Sequence, residues 1–290
     1  MIIDCHYHYE PRIFPVERMI PGMDRHGIDK VALIPTMVEP FSLHNRIKQV
    51  SNSMLRNNLV YLNPLGRLMY RSLLIDSRGD FRILWERYRV IERPDNSSVA
   101  EVMGKHPQRF MGWIFVNPAA DPDPLAEIDR WSSLEGMIGV KAHPFWHRYP
   151  VEKLEPVAAW CRKNGFPLLI HLGDGESGDF RRLPERYPGI KIIYAHAGIP
   201  YFRSLWGYIK DKANLFVDLS SPYLDRRLIR MTVDYLGADK CLYGTDGPYG
   251  KQAPGEDYDY GWIKGWIESL PLSDREKERI FHANFEAILS

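Results

Sequence analysis

Eight short apolar runs, each rich in β-branched or aromatic residues and separated by stretches with helix signals, limit how this chain can fold more than any other feature. They read MIIDCH (1–6), KVALIPT (30–36), FMGWIFVN (110–117), MIGVKAH (137–143), PLLIHLG (167–173), KIIYAHAG (191–198), NLFVDLSS (214–221) and CLYGTDG (241–247). Several are hydrophobic without alternation, as strands covered on both faces must be, and strands of that kind alternating with helices form parallel βα units. Between the runs, Pro156 and Gly165 bracket one helix, Asp225 and Gly237 bracket another, and Ser273 with Glu276 has the spacing of a capping box. Eight such units predict an α/β chain folded as a (β/α)8 TIM barrel. With 290 residues, 44% of them hydrophobic, the chain can bury one large core, so residues 1–290 are expected to form a single domain.

One gap breaks the rhythm. Residues 37–109 separate the second and third runs, far more than a βα unit needs, so an insertion is expected there. It carries three helix-like patches, RIKQVSNSMLRNNL (46–59), GRLMYRSLLI (66–75) and DFRILWERYRVI (80–91), but no second core. Leaving the C-terminal end of the second strand, it reads as a helical lid over the barrel mouth or as a contact that makes a homo-oligomer; packing on the outside with no part in the chemistry is the plainer alternative.

Charge narrows the partners. Lys plus Arg (38) nearly cancels Asp plus Glu (37), and no long run of one sign marks a nucleic-acid or membrane surface, which leaves a small-molecule substrate. Cys5, Cys161 and Cys241 are far apart and form no CxxC pair, arguing against a disulfide framework or a zinc knuckle. The chain opens directly on strand residues without a basic and apolar leader, and no apolar run reaches membrane-spanning length. A cytoplasmic enzyme is the expectation.

Active sites of such barrels gather at the C-terminal ends of the strands. His6 and His8 end the first run, and positions i and i+2 of a strand leave the backbone on one face. His143 ends the fourth run, His171 the fifth, His196 the sixth and Asp246 the eighth. Taken singly, a buried His143 or His171 reads as a hydrogen-bonded core residue; six metal-capable side chains converging on one mouth read as a metal or catalytic cluster. Imidazole nitrogen and carboxylate oxygen suit zinc, and also iron, manganese or cobalt. Asp4 shares a face with His6 and is left between orienting an imidazole and fixing the first turn, while Cys5 on the other face reads as a small buried hydrophobe.

The motifs DCHYH, LLIHLGDG, IIYAHAG and LYGTDGPYG, in this order, resemble the amidohydrolase superfamily, specifically the amidohydrolase 2 branch that contains aminocarboxymuconate semialdehyde decarboxylase and related metal-dependent hydrolases. The ending RIFHANFEAIL is similar to that branch's closing helix, with its Asn-Ala pair reversed as Ala283-Asn284. The resemblance spans the chain outside 37–109. It implies one divalent metal ion, zinc first with manganese or iron as alternatives, held by His6, His8, His171 and Asp246. It places His196 beside the metal, polarising substrate or moving a proton, although two-metal members use that histidine as a ligand. Two-metal members also bridge their ions with a carbamylated lysine on the fourth strand; Lys141 is instead expected to bind a substrate carboxylate or a structural acid.

The function expected first is hydrolysis of a small cyclic or carboxylated ester, lactone or amide by a metal-activated water, with Asp246 taking the water's proton and His196 hydrogen-bonding the oxyanion. The alternative is a metal-dependent non-oxidative decarboxylase of an aromatic-derived carboxylic acid. Either substrate, if it bears a carboxylate, calls for a cation at the mouth: Lys141, Arg148, Arg181 or Arg182 from the barrel, or Arg67, Arg71 or Arg78 from the insertion. Phe145, Trp146, Tyr149, Tyr201, Phe202, Tyr223 and Tyr249 follow the strands and suggest a ring-lined pocket, with Lys141, His143, Trp146, Tyr223 and Tyr249 as the substrate-binding candidates. A barrel that binds without turnover is the third class, and the presence of every expected histidine and of Asp246 argues against it.

Overall fold

All eight runs are strands. The computed structural model describes residues 1–43, 46–220, 222–249 and 258–290; Ser221, the last residue of the seventh run, lies outside them. In chain order the strands are β1 (Ile3–Tyr9), β2 (Lys30–Pro35), β3 (Phe81–Ile83), β4 (Glu86–Tyr88), β5 (Phe110–Phe115), β6 (Met137–Ala142), β7 (Leu168–Ile170), β8 (Ile192–Tyr194), β9 (Leu215–Asp218) and β10 (Cys241–Leu242). Eight of them make one parallel sheet in the order β1-β2-β5-β6-β7-β8-β9-β10. Its two edges meet. Cys5 N donates to the Tyr243 carbonyl at 3.0 Å, Asp246 N to His6 O at 2.7 Å and His8 N to Gly247 O at 2.7 Å, and Tyr7 forms a parallel bridge with Gly247. Closure leaves no free strand edge and aims every C-terminal end at one mouth.

The strands are covered on both faces, so Val31, Leu33, Ile114, Val140, Leu168, Ile192, Val217 and Leu242 are all fully buried, each stabilising the fold by about 1.5–3 kcal/mol relative to exposure. Gly139 shows how tightly the interior is filled: a Cβ there would fall 2.4 Å from the Trp113 ring and 2.7 Å from the Pro167 carbonyl. The helix stops act as expected. Helix Glu155–Asn164 starts around Pro156 and ends on a left-handed Gly165, Asp225 caps Arg226–Leu236 by accepting from Leu228 N, and the Ser273/Glu276 capping box opens Asp274–Glu278. Near the C-terminus a π-helical turn, Arg279–Ala283, leads into helix Asn284–Leu289. Asn284 donates to the carbonyls of Ala238 (2.8 Å) and Cys241 (3.0 Å), tying that end to the start of β10.

The insertion differs from its expected form in two places. Its first two patches are helices, Arg46–Tyr61 and Asn63–Leu73, but the third is the antiparallel hairpin β3–β4, with Ile83 opposite Glu86 across the Leu84-Trp85 turn. The alternation explains it: Phe81 and Ile83 are buried and Arg82 between them is not, which is the two-residue period of a strand. The second difference is helix Asn96–Lys105, which belongs to the barrel. Asn96 exchanges two hydrogen bonds with the Phe115 backbone on β5, at 3.0 and 2.8 Å. The added segment therefore closes earlier than 109, where Ile91 N donates to Met37 O at 2.9 Å and Val38 pairs with Val90. The three cysteines are free and buried, and among the described residues no helix is long and apolar enough to cross a membrane.

Candidate active site

β1 carries His6 and His8 to its C-terminal end, and both are buried. His171 directly follows β7, His196 follows β8 and Asp246 follows β10. His196 and Asp246 both sit at φ 55° in the left-handed region, a conformation costing about 1–3 kcal/mol for a residue with a Cβ. Their amides are fixed in compensation: His196 N donates to Asp218 Oδ1 at 2.9 Å and Asp246 N to His6 O at 2.7 Å. The ladder stops where these residues turn inward, so the strands end before the sequence runs do.

Hydrogen bonding sets the tautomers. His6 Nδ1 lies 2.9 Å from Asp218 Oδ2 and donates to it, which leaves Nε2 as a lone pair facing the mouth. That nitrogen is 3.3 Å from Asp246 Oδ1, and His8 Nε2 is 3.1 Å from the same oxygen. Burial, helped by the Lys141 ammonium and opposed by Asp218, pushes the His6 imidazole down to about 3, so it is neutral near pH 7. Burial alone would push the Asp246 carboxyl up, but His196, His8 and His6 outweigh it and hold the group at about 2. A neutral imidazole lone pair and an ionised carboxylate oxygen therefore face each other at 3.3 Å, an arrangement that a cation between them relieves. Donor atoms of His6, His196 and Asp246 all lie within 4.8 Å of one another. His8 joins this set through Asp246, and His171 through His196, whose Nε2 is 2.8 Å from His171 Nδ1. The nitrogen and oxygen donors fit a divalent metal ion such as zinc, manganese or iron.

Behind them stands a supporting shell. Asp218 Oδ1 accepts from Ser220 N at 3.0 Å and from its hydroxyl, and Ser220 Oγ is 2.9 Å from His196 Nδ1. Asp4 accepts from His6 N and Thr245 N, each at 3.0 Å, clasping β1 to the segment after β10; burial, against those bonds, pushes its carboxyl up to about 7. Tyr70, from the insertion, reaches down to place its hydroxyl 2.7 Å from His171 Nε2 and 3.1 Å from the Leu172 carbonyl. Its ring stacks on Phe145 at 4.1 Å.

Above the cluster is a cavity with about 1020 Å³ of empty space counted to its open mouth. His8, His143, His171, His196, Asp246, Trp146, Tyr223 and Tyr249 line its barrel side. His143 Nδ1 accepts from Trp146 N at 3.0 Å, and its ring stacks on His171 at 4.1 Å. Lys141 does not line this cavity, contrary to its expected contact with substrate: it is fully buried beneath the mouth, its Nζ 3.4 Å from His6 Nε2, and burial lowers its ammonium to about 8 against Asp218 and Asp246. None of the six candidate arginines lines the cavity either. Arg67 pairs with Asp174 at 2.6 Å, Arg182 with Glu152 and Glu155, and Arg148 reaches the carbonyl of Ser77. Phe145, Tyr149, Tyr201 and Phe202 are likewise absent from its walls. Among the described residues, the lysine and arginine side chains that line it are Lys48 and Arg82, both from the insertion.

Sequence reasoning passed over Asp218, although the rule that found the histidines, a polar residue ending an apolar run, also selects the aspartate of NLFVDLSS. Tyr70, Lys48 and Arg82 had no local signal, because only the insertion's path brings them to the mouth.

Comparison with known proteins identifies the family. The chain is 24% identical over 263 residues to a gamma-resorcylate decarboxylase from Polaromonas, covering 66% of this chain and 74% of that protein. The structure of 5-carboxyvanillate decarboxylase from Sphingomonas paucimobilis matches at 15% identity and TM-score 0.61, over 99% of this chain and 98% of that one. That of 4-oxalomesaconate hydratase from Rhodopseudomonas palustris matches at 16% identity and TM-score 0.63, over 100% and 95%. These structural likenesses establish the shared barrel fold. Residues 69–289 match the family described as Amidohydrolase, and the chain therefore belongs to the amidohydrolase superfamily, in its amidohydrolase 2 branch.

Proposed function

We propose that this enzyme is a metal-dependent non-oxidative decarboxylase of a carboxylated, hydroxylated ring. The observation that carries the reading is a partly buried, ionised Asp246 among neutral imidazoles at the floor of a cavity flanked by Trp146, Tyr223 and Tyr249. The likeness to two proteins named as decarboxylases supports it over the hydrolysis expected first from the sequence.

His6, His8, His171 and Asp246 would hold the divalent ion, with His196 beside it. The ion would supply Lewis-acid polarisation of the substrate's carboxylate and ring oxygens. Asp246, being ionised, can accept the proton that a ring hydroxyl gives up and return it to the ring carbon bearing the carboxylate. The carbon–carbon bond then breaks, carbon dioxide departs, and the bonding pair restores the ring. His196, oriented through Ser220 and Asp218, would hold a substrate oxygen, and the rings of Trp146 and Tyr249 would bound the ring's faces.

Water chemistry is the second reading, favoured by the structural likeness to a hydratase; Asp246 would then take its proton from water. One experiment separates the two. Metal-supplemented protein is incubated in D2O with hydroxybenzoates labelled with 13C in the carboxyl group, beside a panel of lactones. Decarboxylation releases labelled carbon dioxide and leaves one deuterium on the vacated ring carbon. Opened lactones with no labelled gas would overturn the proposal in favour of hydrolysis.

A further inference from the structure

The cavity is built in layers. Next to His8 come Trp146 and Tyr249, with ring centres 6.5 and 5.8 Å from the imidazole. Two rings of the insertion continue outward from these: Phe41 stacks on Tyr249 at 4.3 Å, Phe81 lies 5.3 Å from Trp146, and the two insertion rings are 5.1 Å apart. The rest of the insertion's wall is mainly aliphatic, formed by Leu55, Met69, Leu73, Leu74, Ile83 and Leu84, with Lys48, Ser51, Asn52 and Arg82 among them.

Lys48 and Asn52 on that outer wall are already engaged, and Arg82 makes one long bond. Lys48 Nζ donates to the Ser42 carbonyl at 3.0 Å, to Glu86 at 2.6 Å and to Tyr88 Oη at 3.4 Å, and Tyr88 also donates to Glu86. Asn52 donates to the Pro222 carbonyl at 2.8 Å, and Arg82 reaches the Leu84 carbonyl at 3.3 Å. Away from Arg82, whose guanidinium keeps further donors, a polar substituent placed there would lose its water and gain little, whereas an apolar one removes both its own surface and the wall's from water.

We infer that the substrate is a ring acid carrying an apolar arm: the carboxylated ring sits between Trp146 and Tyr249, and an alkyl or aryl substituent extends past Phe41 and Phe81 onto the aliphatic wall of the insertion. This rests on the decarboxylase reading for the ring acid, and on the wall's composition alone for the arm.

The test is binding, not turnover. Dissociation constants of the metal-supplemented full chain are measured calorimetrically for benzoate and for 3- and 4-substituted ethyl, butyl and hexyl benzoates, with 4-(3-carboxypropyl)benzoate as the polar-arm control. Affinity is expected to rise about two- to fourfold per methylene in at least one series. Leu73→Asp, whose parent side chain is already half exposed, and the milder Met69→Gln should flatten that rise while leaving benzoate within about twofold. A flat series, no binding even of the hexyl acids, or tighter binding of the carboxypropyl arm than of the butyl arm would overturn the inference. A steep series with no carbon dioxide from any ring acid would retire the decarboxylase reading and leave the arm site standing. Carbon dioxide from short ring acids with a flat series would do the reverse.

Discussion

The barrel and the insertion face each other across one cavity and contribute opposite things to it. From the strand ends come the imidazoles and the ionised Asp246, each held by backbone or buried side-chain bonds. From the insertion come mainly aliphatic and aromatic side chains and two cations, one of them already paired with Glu86. Chemistry that depends on donor atoms a few ångströms apart is placed on the closed sheet, which cannot shift one strand without straining its neighbours. On the proposed reading, recognition falls to a segment that can change length and composition without disturbing the sheet.

The largest effect should come from the barrel side. Asp246→Asn removes the group proposed to carry the proton, and turnover should fall by about 10²–10⁴-fold with the circular dichroism spectrum and melting temperature little changed. Retained turnover would move the proton chemistry elsewhere, with His196 the next group to test. Slightly smaller in consequence is loss of the metal. The His6→Ala/His8→Ala double variant should purify with little ion where the parent holds about one equivalent, read by mass spectrometry. Two equivalents in the parent would instead turn attention to the buried Lys141.

Tyr70→Phe tests whether the division between the two halves is complete, since Tyr70 is an insertion residue bonded to a barrel histidine. Its hydroxyl can donate to His171 Nε2 or to the Leu172 carbonyl. When it donates to Leu172, His171 Nε2 keeps its proton and Nδ1 is left as a lone pair facing the cluster. Removing the hydroxyl should therefore weaken metal affinity by about 10-fold to 100-fold, measured by competition with a chromophoric chelator. Unchanged affinity would make the insertion a wall and nothing more.

The same division explains what the sequence made legible. Buried strands must be continuously apolar, so a polar residue at the end of such a run is conspicuous, and His6, His8, His171, His196 and Asp246 were all found that way. Asp218 belongs to the same pattern, the polar residue that closes the apolar stretch of NLFVDLSS. The insertion offered no comparable contrast. The hairpin segment DFRILWERYRVI carries charges at helical and strand spacings alike, and only the burial of Phe81 and Ile83 against the less buried Arg82 decides the period. Arg82 and Lys48 could not be chosen over Arg67, Arg71 or Arg78 from sequence, since a cation's position at the mouth depends on how two helices and a hairpin fold back over the barrel.

The smallest expected effect lies where the insertion rejoins the barrel. Asp95 caps helix Asn96–Lys105, accepting from Ser97 N at 2.9 Å and Ser97 Oγ at 2.6 Å on an exposed surface. Asp95→Ala leaves those donors to water and should cost about 1 kcal/mol, a drop of a little under about 2 °C in melting temperature. The helix packs on the barrel and supplies no cavity residue, so KM for any ring acid should stay within experimental scatter. A stability loss with KM unchanged is what two separable halves require. A KM that rises several-fold while the melting temperature holds would mean that the cap sets the angle at which the insertion meets the barrel, and that the cavity's outer wall is positioned from outside the cavity.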